Sequence, residues 1–306
     1  VENELFALEE YYNELIKKGE SPAVYNNRGN ALQRLGEIEQ ERGNRDKAVD
    51  YYEKAIDSYN RAIELGWKHP NDYNNRGSAL QSLGEIEQER GNRDEAVSYY
   101  EEAINSYARA IKLNENYATA YMNRGPALQS LGEIEYERGN NDKAVNYYRE
   151  SVESYNEAIR LNKNYITAYA NRGTTLRRLI ELTKDKSIWT ELYENYKTLI
   201  NVFKSINASN NLLIKYYPDC IEVFVRSSIF NLSEFKEILC EFFYVWKASK
   251  KQDYIYKVAD ILISSGIRNL PEEMEFDYPL CSEVYRKEFY PVYKSLLSES
   301  DISEDV

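Results

Sequence analysis

Residues 25–43 read YNNRGNALQRLGEIEQERG, and nearly the same words return at Tyr73 (YNNRGSALQSLGEIEQERG) and Tyr121 (YMNRGPALQSLGEIEYERG). A decayed copy, YANRGTTLRRLIELTKDKS, begins at Tyr169. The step from Tyr25 to Tyr73 is 48 residues, and it recurs at 121 and 169 without insertion. A fixed period of this length means stacked units, each burying its apolar face only against its neighbours. The 306 residues therefore read as one solenoid rather than as one or two ordinary globular domains.

Two helices are predicted in each repeat. The first runs from about Ala23 to Arg42, with Tyr25, Gly29, Leu32 and Gly36 on one face. The two glycines cost helix propensity but let a neighbouring helix approach closely. Gly43 is expected as a left-handed cap, with Asn44 or Asp46 as the next N-cap. The second helix, about Asp46 to Leu65, sets Ala48, Tyr52, Ala55, Tyr59 and Ala62 along a seam where small and aromatic residues alternate.

That pattern of Tyr25, Gly29, Leu32, then Gly43, then Ala48, Tyr52 and Ala55 resembles the tetratricopeptide repeat (TPR), a family of helical hairpins whose ordinary repeat has about 34 residues. About 14 extra residues lengthen each helix by about two turns, which returns side chains to nearly the same face. The resemblance implies an all-α, TPR-like helical-hairpin solenoid winding as a right-handed superhelix, with a C-terminal helical capping region. It covers roughly residues 7–206, in a long-helix variant whose groove width does not carry over.

Residues 2–18 look like the second helix of a partial repeat, since Ala7, Leu8, Tyr11 and Leu15 fall on Ala55, Ile56, Tyr59 and Ile63 after one step. The expected organisation is thus 1–22 as a partial repeat or cap, repeats at 23–70, 71–118, 119–166 and 167–206, and a helical region 207–306. In the fourth repeat Ile180 replaces the second glycine, and Tyr196, Leu199, Phe203 and Ile206 take the positions of Tyr52, Ala55, Tyr59 and Ala62. Beyond residue 207 helical segments are expected near 212–229, 233–249, 252–265 and 281–298, broken by Pro218, Gly266, Pro271 and Pro279. The acidic tail SESDISEDV is expected to be disordered.

A net charge of −12 and a pI of about 4.9 make nucleic acid a poor partner, although Arg28, Arg76, Arg124 and Arg172 recur once per repeat. Cys220, Cys240 and Cys281 lie far apart and match no metal motif, so reduced thiols in a reducing compartment are expected. No apolar run suits a membrane span and no leader pattern opens the chain, so the expected location is cytoplasmic. The start at Val1 leaves room for sequence upstream.

The first-helix residues off the packing face form rungs. Asn27, Asn30, Arg34, Glu37 and Glu41 share one stripe, with Asn75, Ser78, Ser82, Glu85 and Glu89 in the second repeat. Asn123, Pro126, Ser130, Glu133 and Glu137 follow, and then Asn171, Thr174, Arg178, Glu181 and Asp185. The resemblance implies that first helices line a groove where a recurrent Asn hydrogen-bonds the main chain of a peptide. It assigns that role to Asn27, Asn75, Asn123 and Asn171, and Asn30, Gln33, Gln81 and Gln129 join the same candidate surface, since an amide both donates and accepts. The competing reading is that these amides tie adjacent repeats together.

Glu37, Glu85 and Glu133 would make the groove edge negative and favour a Lys- or Arg-bearing partner. Against this, Arg42, Arg90 and Arg138 stand three residues after Glu39, Glu87 and Glu135 and can neutralise that face. A carboxylate clamp is not expected, because Asn26, Asn74, Met122 and Ala170 stand where its lysine would. Pro126 should bend the third first helix. The tyrosines read as core with hydroxyls at the rim, and His69, the sole histidine, reads as a packing residue in the turn where Tyr117 and Tyr165 follow.

No phosphate loop, nucleophile elbow or zinc spacing is present, so catalysis and cofactors are not expected. The sequence reads as a non-catalytic protein–protein interaction scaffold or adaptor that binds a partner polypeptide along its concave first-helix surface. The alternative is a structural or regulatory subunit that docks an enzyme, or a second copy of itself, through the C-terminal helices.

Overall fold

The computed structural model describes residues 2–227, 232–249, 251–265, 267–272, 274 and 276–304. It is helical throughout, with no strand among the described residues. Helices α1 (Glu2–Lys18), α2 (Pro22–Glu41), α3 (Arg45–Glu64), α4 (Pro70–Arg90), α5 (Arg93–Leu113), α6 (Ala118–Glu137), α7 (Asn141–Leu161), α8 (Ile166–Thr183) and α9 (Ser187–Ser205) follow the repeat. Then come α10 (Asn210–Leu213), α11 (Tyr217–Arg226), α12 (Leu232–Ser249), α13 (Asp253–Ser264), α14 (Pro279–Val284), a π-turn (Tyr285–Phe289) and α15 (Tyr290–Glu304). The chain forms two compact lobes, Val1–Thr175 and Leu176–Val306.

In the first lobe α2 pairs with α3, α4 with α5 and α6 with α7, while α3–α4 and α5–α6 contacts stack one hairpin on the next. The pairing is close because the second helix lays two tyrosine rings on two first-helix glycines. A Cβ built on Gly29 would stand 2.7 Å from Tyr59 Cε1, and one on Gly36 2.8 Å from Tyr52 Cε1. Gly77 and Gly84 meet Tyr107 and Tyr100 in the same way, and Gly125 and Gly132 meet Tyr155 and Tyr148. The stacked core then runs through Leu80, Ala96, Tyr100, Ala103 and Tyr107 to Ala127, Leu131 and Ile134 of the next repeat. α1 packs on α2 but leaves Leu8 and Tyr11 exposed, although Tyr59, the counterpart of Tyr11, is buried and Ile56, that of Leu8, is partly covered.

Helices α2, α4 and α6 end in one device. Gly91 adopts φ 85°, its N–H donates to the Gln88 carbonyl, and the Asn92 N–H reaches back to Glu87. Asn44, expected as an N-cap, makes no side-chain capping bond to its own helix. Its amide donates instead to Glu39 Oε2 at 2.7 Å, and Arg42 donates to Oε1 at 3.0 Å. Asn92 and Arg90 hold Glu87, and Asn140 and Arg138 hold Glu135, in the same grip. These buried carboxylates are thereby satisfied, and Asn44 first, then Arg42, lowers the pKa of Glu39. Successive repeats are cross-linked by Arg45–Glu89 at 2.6 Å and Arg93–Glu137 at 2.8 Å, and by Arg90 with Asp46 and Arg138 with Asp94. Helix α6 runs on through Pro126.

The second lobe departs from the expectations in two ways. Cys240 and Cys281, expected as reduced thiols, form a disulfide with their Cα atoms 5.2 Å apart, and only Cys220 is free and buried. The bond joins α12 to α14 beside an aromatic core in which Phe243 contacts Phe276 and Phe289 at 6.0 and 5.5 Å between centroids. The tail expected to be disordered continues α15 to Glu304, residues 305–306 lying outside the described residues. The π-turn precedes Pro291, whose missing N–H interrupts the helical ladder. Of the expected segment 212–229, residues 228–229 also lie outside the described residues, as does the expected break at Gly266.

Candidate peptide-contact surface

The glutamines of the rungs face inward as much as outward. Tyr59, Tyr107 and Tyr155 donate their hydroxyls to Gln33, Gln81 and Gln129 Oε1 at 2.9, 3.1 and 2.7 Å. Burial raises the pKa of all three phenols, so each remains a protonated donor across the ordinary pH range. The amide end of each glutamine is then aimed along the surface. Gln33 Nε2 donates to Ser78 Oγ at 3.3 Å and Gln81 Nε2 to Glu85 at 3.0 Å. Gln129 Nε2 donates to Thr175 Oγ1 at 2.5 Å and lies 3.4 Å from the Asn171 carbonyl.

The asparagines link one first helix to the next. Asn75 Nδ2 donates to Asn30 Oδ1 at 3.0 Å, and the Tyr59 hydroxyl, 2.9 Å from the same oxygen, shares its one proton between Asn30 and Gln33. Asn123 Nδ2 donates to Asn74 Oδ1 at 3.1 Å. These are the inter-repeat ties that the competing reading described, and they use one end of each amide. Asn123 Oδ1 and the exposed Asn27 side chain make no hydrogen bond among the described residues. Asn27, Asn30 and Ala31 line an open cleft of about 280 Å³ with Leu8 and Tyr12 of α1.

The glutamates are largely engaged within the chain. Glu37 pairs with Arg34, Glu133 accepts from the Tyr148 hydroxyl at 2.7 Å, and half-buried Glu85 is held above the usual carboxylate range by desolvation. Glu89 and Glu137 are taken by the inter-repeat arginines. Tyr148 turns to Glu133 because Tyr136 stands where Gln40 and Gln88 accept from Tyr52 and Tyr100.

Three contributors were missed in the sequence. Leu8 and Tyr12 come from α1, and only the packing of α1 on α2 brings them to the cleft. In the sequence Asn74 stands out only as occupying a clamp-lysine position, although the recurrence of Asn at 26 and 74 signals a polar column. His69 N-caps α4, accepting from the Asn71 N–H at 3.4 Å, rather than serving as a packing residue. Among the described residues no group of His, Cys, Asp and Glu could hold a metal ion, and no helix is long and apolar enough to cross a membrane.

An array of stacked helical hairpins with a polar first-helix face defines a class of interaction scaffold. The hairpins are tetratricopeptide repeats: profiles described as TPR repeat or tetratricopeptide repeat match residues 30–59, 76–114, 99–132 and 127–159. No curated protein matches the chain. Similar solved structures include BtubC (BKLC) from P. vanneervenii, with 15% identity, 90% of this chain and 95% of that chain covered, and a TM-score of 0.46. TTC0263, a thermophilic TPR protein of Thermus thermophilus, has 15% identity over 77% of this chain and 99% of its own, with a TM-score of 0.40. YrrB, described as a TPR protein with an unusual peptide-binding site, has 14% identity over 79% and 98%, with a TM-score of 0.43.

Proposed function

We propose that the chain is a non-catalytic adaptor that holds an extended segment of a partner polypeptide along the first-helix face of its first lobe. The observation that carries the reading is the amide of Asn27, exposed and without a hydrogen bond among the described residues, on the cleft it shares with Leu8 and Tyr12. An amide with both ends open matches a peptide main chain whatever its sequence, and the neighbouring apolar side chains would cover the segment's own. Asn30, Asn75 and Asn123, tied to one another or to Asn74, would fix the spacing of the first helices and offer their remaining donors and acceptors. With the glutamates engaged internally, recognition on this face would rest on amides more than on charge.

The test is a selection of twelve-residue peptides from a random display library on the full chain, followed by titration of the winners against Asn27→Ala and Tyr12→Ala. Affinity is expected to fall about fivefold to tenfold in each variant, the cost of a hydrogen bond or an apolar contact. Winners that bind both variants as tightly as the parent chain would remove the reading.

A further inference from the structure

A second surface lies in the Leu176–Val306 lobe, on a different set of residues from the first-helix face. A groove of about 720 Å³ runs along α12 beside the segment that leads into α14. Glu237, Glu241 and Asp277 line it against one ammonium, that of Lys236. Glu241 is already paired with Lys204 at 2.7 Å. Glu237 and Asp277 are exposed and make no ion pair among the described residues.

One end of the groove is aromatic. Tyr244 and Tyr278 are 44% and 58% exposed and meet edge to face, their centroids 6.1 Å apart. Elsewhere in this lobe partly exposed aromatics carry the chain's own cations: Arg226 sits over Trp189 at 5.6 Å and Lys294 over Tyr290 at 6.0 Å. Among the described residues no lysine or arginine sits over Tyr244 or Tyr278. The groove therefore combines open aromatic faces with unneutralised carboxylates, both of which attract a guanidinium.

Its walls are also pinned. Cys240 lines the groove and is bonded to Cys281, while Phe276 is held edge to face on Phe243 at 6.0 Å. A covalently fixed wall loses little freedom when a ligand enters, so the contacts made there translate into affinity. We propose that this groove seats an arginine-bearing segment of a partner protein, the guanidinium lying against Tyr244 and Tyr278 with Glu237 and Asp277 as its counter-charges.

The probe is a fluorescein-labelled decapeptide of alternating arginine and glycine, titrated by fluorescence anisotropy against the full oxidised chain at 150 mM salt. Glu237→Gln with Asp277→Asn should weaken binding about tenfold, and Tyr244→Ala with Tyr278→Ala about fivefold. Glu101→Gln with Glu153→Gln, which removes the same charge from exposed positions of the first lobe, should change it less than about twofold. Equal losses in the site and control pairs would mean that net charge alone attracts the peptide, and would overturn the proposal. Absence of binding by the parent chain, or full affinity in the tyrosine pair, would overturn it as well. Neither result bears on the Asn27 cleft, which the Asn27→Ala titration reads separately.

Discussion

Tyr107 lies across Gly77 so closely that a Cβ on the glycine would stand 2.7 Å from the ring's Cε1 and 2.9 Å from its Cδ1. Gly to Ala in a helix interior ordinarily gains about 1 kcal/mol of propensity. Here the sign should reverse, because the ring is fully buried and its hydroxyl is committed to Gln81. Gly77→Ala is expected to destabilise the array by about 1–3 kcal/mol in urea melts followed by circular dichroism. Ala at Gly43, where nothing lies within 4 Å but φ is 79°, should be costly for a different reason, strain at the left-handed cap.

An unpaired donor marks a place where the repeat has lost a partner. Arg76 donates Nε to Asn60 Oδ1 at 2.6 Å, but one step later Ala108 replaces that asparagine and Arg124 Nε is buried without a hydrogen bond. Ala108→Asn should restore the acceptor and stabilise the chain by about 1 kcal/mol. The same substitution in an Arg124→Met background should give no gain, and a double-mutant cycle of melts measures the difference.

Asp72 is 2% exposed, stands where later repeats have Ala120 and Ala168, and leaves Oδ2 without a hydrogen bond. Burial raises its carboxyl to about 6, with the neighbouring His69 pulling the other way. The folded chain thus holds this proton more tightly than the unfolded chain, and stability falls as pH rises from about 4 through 6. Asp72→Ala should therefore raise the unfolding free energy by about 1–2 kcal/mol at pH 7.5 and by much less at pH 4. An equal gain at both values would show that the carboxylate's charge is not the cause.

Thiol titration checks the second lobe. Cys220 is buried and burial pushes its thiol well above the usual range, so native protein should show no reactive thiol. Denatured protein should show one, and denatured, reduced protein three. The Cys240–Cys281 bond spans 41 residues, and Cys240→Ser with Cys281→Ser should cost about 2–4 kcal/mol of stability, read as an earlier transition in thermal melts.

The period carried most of the first lobe. Because 48 residues return each side chain to the same surroundings, the glycine ridge, the tyrosine seam and the left-handed glycine could be placed by register alone. Asp72 is visible in the same way, as an acid in the column that holds Ala120 and Ala168 in later repeats. Register could not show that Gln33, Gln81 and Gln129 receive the tyrosine hydroxyls, since a helical stripe does not say how far a side chain across the hairpin reaches. Nor could it find the disulfide, whose cysteines lie on separate helices outside the repeat and come together only through packing of an unrelated aromatic core.

The arginine–carboxylate pairs between repeats bear on how many repeats the array can hold. Arg45–Glu89 and Arg90–Asp46 recur one step later as Arg93–Glu137 and Arg138–Asp94, so the second and third repeats present the same joint to the repeat before them. A duplicate of residues 71–118 spliced in after Ala118 would meet its counterpart charges at both seams. Arrays with one copy more or fewer of this repeat would keep the same joint at every seam, so repeat number can vary while the stacking is preserved.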